Sequence, residues 1–309
     1  MVDVNLLSHS QQNFSDGSMV KRIVHLNNEK YIFKANNGFP YDETPTHFGE
    51  VFYSKIGELL DCSVVKAKYA KLNIEGKASV GCLIKHYVTD DIEEALTFGQ
   101  IVRILSNKYR SVKEDMNVQN ILCVVGPFAH SVGLKFDYDQ VELQLSKMVI
   151  LDYFFSQRDR HYDNVEFLRD RKEIKLAPIF DNGLCFNLGM DKNFFRYISK
   201  FGDKFDDGCV QFMTLERIDV NTVAAASELL ANQIVSKMRQ DARIDMFVKS
   251  LMKLNVKKVL YDTFSKIEND FPKDYVENCL DIYKKRCNIL QNQLNISARS
   301  SRQDRDLAR

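Results

Sequence analysis

Arg158–Asn164 reads RDRHYDN, and Ile179–Gly183 reads IFDNG. Together they set out three oxygen-bearing side chains in the order Asp159, Asn164, Asp181, each beside residues that favour turns. Asp159 follows a long amphipathic segment. Asn164 comes five residues later, so an irregular loop can turn both side chains toward one point. Asp181 follows apolar Ile179 and Phe180, at the end of a predicted strand. A carboxylate beside an attacking hydroxyl, with an amide and a second carboxylate to hold magnesium, is what phosphoryl transfer from ATP requires. Each piece also has an ordinary reading. D-x-x-x-x-N is a common string, and Arg158 and Arg160 would complement a helix C-terminus. Asn182-Gly183 between apolar runs is a hairpin signal.

Upstream, KRIVHL (Lys21 to Leu26) and KYIFKA (Lys30 to Ala35) flank Asn27-Asn28-Glu29, which predicts a hairpin. Strand alternation puts Lys34 on the same face as Ile32, where an ammonium over a cleft can meet the α- and β-phosphates of ATP. A solvated strand lysine is the simpler alternative. Asn36 to Thr46 holds Gly38, Pro40 and Pro45 and reads as a loop. A helix follows, capped by Thr44 or Thr46, with Phe48, Val51, Phe52, Ile56, Leu59 and Leu60 at helical spacing. Glu50 in that helix can hold Lys34 extended. Glu43 and Glu58 are also available, and an acid near a helix N-terminus is worth only roughly 0.3–1 kcal/mol by itself. Val64 to Leu72 and Ala78 to Val88 predict two more strands.

The rest reads as mainly helical. Gln140 to Gln157 is the clearest segment, with Asp139 and Glu142 spaced as a capping box and Leu145, Met148, Leu151 and Phe155 on one face. Val223 to Met238 predicts another helix, and about Pro272 to Leu294 a last one. Strands plus one helix, then helices around a short strand pair, predict an α+β protein with a strand-rich small lobe over residues 1–88 and a helical large lobe over 89–295. Residues 296–309 are polar and read as a disordered tail. The 309 residues are 45% apolar and 28% charged, with a formal charge of +1, which gives no electrostatic reason for a nucleic-acid partner. Seven cysteines without C-x-x-C spacing read as reduced thiols. No run reaches membrane-spanning length and the N-terminus lacks a secretory signal, so the expected location is cytoplasmic.

The ordered set of a strand lysine, a helix glutamate, D-x-x-x-x-N and a strand-end D-x-G resembles protein-kinase-like phosphotransferases. The D-R-H-x-x-N form, here Asp159 to Asn164, resembles the HipA-like serine/threonine kinases, and among them the compact, cell-translocating kinase A type. The resemblance spans about residues 14 to 295. It implies a bilobal kinase fold, ATP and Mg2+ as cofactors, and transfer to protein serine or threonine. Lys34 would be the phosphate-binding lysine, Glu50 its ion-pair partner, Asp159 the catalytic base, and Asn164 and Asp181 the metal ligands. Room is left for a regulatory partner. The chain departs from the wider kinase pattern in having no G-x-G-x-x-G. Only Ser15-Asp16-Gly17-Ser18 offers a loop over the phosphates, with Ser15, Gly17 and Ser18 as contacts and the two serines as autophosphorylation sites. The adenine contact would fall on Leu83 to Val88, where Lys85 and Tyr87 are the candidates. D-R-H is shared with phosphoinositide kinases, which would use Arg158, Arg160, Arg169 and Arg171 as a basic lipid-facing surface. A nucleotide-binding pseudokinase scaffold is the third reading.

Overall fold

Asn27 and Asn28 both take positive φ, 53° and 63°, and make the tight two-residue turn that suits a twisted hairpin. They join β3 (Lys21–Leu26) to β4 (Glu29–Ala35), as the sequence predicts. The computed structural model describes residues 2–3, 9–10, 21–35, 46–74, 77–105, 116–157, 160–187, 226–267 and 274–307. The two short strands β1 (Val2–Asp3) and β2 (His9–Ser10) complete a six-stranded sheet with β5 (Ala67–Ile74) and β6 (Lys77–Lys85), in the order β1-β5-β6-β4-β3-β2.

Alternation gives this sheet two different faces. Val24, Tyr31, Phe33, Ala35, Ala70, Leu72 and Leu83 form a small apolar cluster on one. The other carries Tyr69, Cys82 and Ile84 into the main core and is covered by α1 (Thr46–Leu59). Phe48, Phe52 and Ile56 of α1 are fully buried, because they recur on one helical face.

A second, four-stranded sheet has the order β7-β9-β10-β8. Its centre is the hairpin of β9 (Glu166–Arg169) and β10 (Glu173–Leu176). The edges β7 (Glu94–Thr97) and β8 (Lys135–Phe136) are too short to announce themselves in the sequence, so the expected strand pair is in fact a sheet. Around it lie α2 (Phe98–Ile104), α3 (Val118–Ser131) and α4 (Tyr138–Phe154). The α5 (Ala226–Gln240), α6 (Ala242–Lys253), α7 (Val256–Phe264) and α8 (Tyr275–Leu307) helices follow. No described helix is long and apolar enough to cross a membrane.

Three sequence expectations change. The cap of α4 is Asp137, whose carboxylate accepts from Gln140 N at 3.0 Å. Asp139 and Glu142 are instead taken by tertiary partners, Arg243 and Lys237. The final helix does not stop near Leu294 but continues to Leu307. The added stretch has neither Gly nor Pro, and extending an existing helix costs far less than starting one. Asp181-Asn182-Gly183 is not a hairpin turn. Ile179 makes a single parallel bridge to Val64, and the chain beyond Gly183 coils back so that Phe186 N donates to Phe155 O.

His47 lies against the Tyr69 ring, with centroids 5.4 Å apart, and is 1% exposed. Burial pulls its imidazole down from 6.5 to about 4. The unfolded chain therefore binds one more proton than the native protein between those values, so stability falls as pH drops through that window. The site should cost roughly 3 kcal/mol by pH 4. Urea unfolding of wild type and His47→Phe at pH 7 and pH 4.5 should show a smaller acid loss in the variant. Equal losses would assign the acid sensitivity elsewhere.

Candidate active site

Lys34 faces α1 with 5% of its surface exposed, because its neighbours Phe33 and Ala35 claim the opposite face of β4. Its ammonium donates to Glu50 Oε1 at 2.8 Å and to Asp181 Oδ1. Glu50 is fully buried, and its Oε2 accepts from the backbone N–H of Asn182 at 3.1 Å. One carboxylate thus ties a strand, a helix and the D-N-G segment together. Gly49 makes the approach possible: a Cβ there would lie 2.5 Å from the Asn182 carbonyl oxygen. Asp181 itself takes φ 53°, and its side chain keeps 26% of its surface open.

The charges hold each other. Burial alone would lower the Lys34 ammonium, but the Asp181 and Glu50 carboxylates outweigh it and keep it well above the ordinary lysine range. Burial alone would raise Asp181, but Lys34, then Lys21 and Arg160, keep it well below the usual carboxylate range. Lys34 and Asp181 are therefore both ionised throughout the neutral range.

Arg160 is the hub beneath it. The guanidinium is 1% exposed and binds Asp152 on α4 twice, at 2.9 and 3.2 Å. It also donates to the carbonyls of Asn164 at 3.2 Å and Phe180 at 2.6 Å, and to Asn182 Oδ1 at 2.8 Å. A single side chain thus positions the turn holding Asn164 and the segment holding Asp181. Asn164 is 5% exposed and closes the short 3-10 turn Tyr162–Asn164. His161 braces this turn, its Nδ1 accepting from Asp163 N at 3.2 Å. Gln157 adds a bond from Nε2 to the Asp181 carbonyl at 2.8 Å. Asp159 directly precedes Arg160 and lies outside the described residues, as do Ser15, Gly17 and Ser18.

The remaining candidates separate. Lys85 pairs in register with Tyr31, so its side chain stands on the face away from Lys34, where it ion-pairs with Glu29. Tyr87, just past β6, points inward: its hydroxyl donates to Glu166 and its ring lies 6.0 Å from that of Phe180. Burial raises the Glu166 carboxyl above its ordinary range, against the bond from Tyr87. On the Lys34 face, Ile23, Ile32 and Ile84 stand side by side across β3, β4 and β6, two residues along from Lys34. Arg160 is not available to a lipid-facing surface, and Arg169 and Arg171 pair with Glu94 and Glu93.

Sequence reasoning missed the structural role of Arg160 and its partner Asp152. The signal was present: Asp152 is the one charge inside the apolar run MVILDYFF. Gly49 and Gln157 had no signal, since each matters only through a contact distant in the chain.

No protein-family model and no curated protein matches the sequence. Among solved structures, the Helicobacter pylori proinflammatory kinase CtkA superposes with a TM-score of 0.62 at 18% identity, covering 94% of this chain and 98% of that one. The fold is kinase-like. The likeness to HipA-like kinases read from the motifs is met at the level of that fold. HipA, from the Shewanella oneidensis toxin–antitoxin complex with HipB and operator DNA, gives a TM-score of 0.47 at 12% identity, covering 93% of this chain and 66% of that one. Hydra Fam20 gives 0.49 at 12% identity, covering 96% of this chain and 86% of that one.

Arg160→Ala would leave the Asp152 carboxylate buried without its cation, which typically costs about 3–5 kcal/mol. Denaturant unfolding should show that loss, and Asp152→Asn in the same chain should recover part of it. A cost under about 1 kcal/mol, the size of an ordinary surface change, would contradict the hub.

Proposed function

We propose that this protein is an ATP- and magnesium-dependent protein serine/threonine kinase of HipA-like type. The observation that carries the reading is the buried ammonium of Lys34, held between Glu50 on α1 and Asp181 at the end of the IFD segment. A buried ion pair adds little stability over apolar packing, so stability alone accounts poorly for its presence. The motif order and the kinase-like fold support the same reading.

In this reading residues 1–88 grip the nucleotide phosphates and residues 89–295 supply the catalytic and metal loops. Lys34 places the α- and β-phosphates, with Glu50 keeping it extended. Asp159 accepts the substrate hydroxyl proton. Asn164 and Asp181 would hold magnesium, which would supply neutralisation of the phosphate charge. The partly open carboxylate of Asp181 fits that task. The Ile23, Ile32 and Ile84 row offers an apolar roof for the adenine, with Tyr87 at its edge. Ser15, Gly17 and Ser18 are the phosphate-loop contacts this reading takes from the sequence, with the two serines as sites of self-phosphorylation. Cys62, Cys82, Cys123, Cys185, Cys279 and Cys287 are free thiols, which supports a reducing cytoplasmic setting.

Removing one electrostatic contact to the transferring group typically costs about a hundred- to thousand-fold in rate. Asp181→Ala and Asp159→Ala should each lower transfer from γ-labelled ATP to a generic basic protein by that factor. Asp181→Ala should stay folded, since Lys34 keeps Glu50. Undiminished labelling in both variants would remove the assignment, and wild-type transfer only to inositol lipid would replace the acceptor.

A further inference from the structure

Lys21 stands directly opposite Lys34 in the antiparallel pairing of β3 and β4. Residues so placed project to the same face, with Cβ atoms about 4.5–5.5 Å apart, and like charges there are destabilising. The cross-strand row runs Lys21, Lys34, Cys82, Tyr69, so the two ammoniums form its outer end, with Lys34 buried and Lys21 half-buried. Lys34 is offset by Glu50 and Asp181. Among the described residues no carboxylate lies within ion-pair distance of Lys21. Its charge still reaches the site, acting on Asp181 second among the cations, after Lys34.

Were a divalent cation to occupy Asp181, Glu50 would be left as the carboxylate on Lys34, with Lys21 beside it, and an anion of several charges would restore neutrality. The apolar row of Ile23, Ile32 and Ile84 lies two residues along on the same face, roughly 7 Å away. Base and phosphates can therefore lie along one sheet face. We infer that Lys21 is a second phosphate-contacting cation of this site, set beside Lys34 to neutralise a nucleoside triphosphate. The inference rests on the nucleotide reading above and names a residue which that reading does not use.

Calorimetric titration of ATP with magnesium, and of adenosine alone, into wild type, Lys21→Met and Lys21→Arg tests it. Lys21→Met should weaken ATP binding by about tenfold, the usual loss of one charged hydrogen bond. Adenosine binding should not change, and Lys21→Arg should restore the ATP affinity. The thermal midpoint of Lys21→Met should be unchanged or higher, because a like-charge neighbour is gone. Equal ATP affinity in wild type and Lys21→Met overturns the inference while leaving the nucleotide reading intact. So does a matching loss for adenosine, or a lowered midpoint in both variants, which would mark Lys21 as structural. A wild type that binds no ATP overturns both.

Discussion

A lysine ammonium sealed from water stays charged only if anions replace the water it has lost. Lys34 meets that condition through Glu50 and Asp181, which come from a helix 16 residues downstream and a loop 147 residues downstream. The contacts around Lys34 answer this demand. The twist and alternation of β4 aim Lys34 toward α1, Gly49 lets α1 touch the D-N-G segment, and Glu50 bonds both.

A second buried cation performs the same service one layer down. Arg160 uses Asp152 to stay charged and spends its remaining donors on the backbone near Asn164 and Asp181. The planar fork of a guanidinium allows this, whereas a lysine could not reach three segments at once. The two polar networks meet at Asn182, whose N–H goes to Glu50 and whose side-chain oxygen goes to Arg160. Movement of α1 would therefore be felt at Asp181 and at the Asn164 turn together.

Local patterns made part of this legible. The Asn27-Asn28 hairpin, the apolar face of α1 and the burial of Leu145, Met148 and Leu151 all follow from periodicity and turn chemistry. Helix ends were less legible. Asp137, rather than Asp139, caps α4, because Arg243 competes for Asp139 from a helix 104 residues away. Lys85 illustrates the limits of residue type: a cation near a strand exit looked useful, yet the pleat turns it to the outer face.

What the chain alone determined was the inventory and order of charged groups, the hairpin that carries Lys34, and the α+β arrangement of strands before helices. Those depend on neighbours in sequence, where covalent geometry and hydrophobic period do the selecting. Only the tertiary structure decided that Glu50 meets Lys34, that Arg160 turns inward, and that Lys21 stands beside Lys34. Those outcomes depend on strand register and on helix approach across the core, where the cost of burying charge selects the pairing and no local pattern records it.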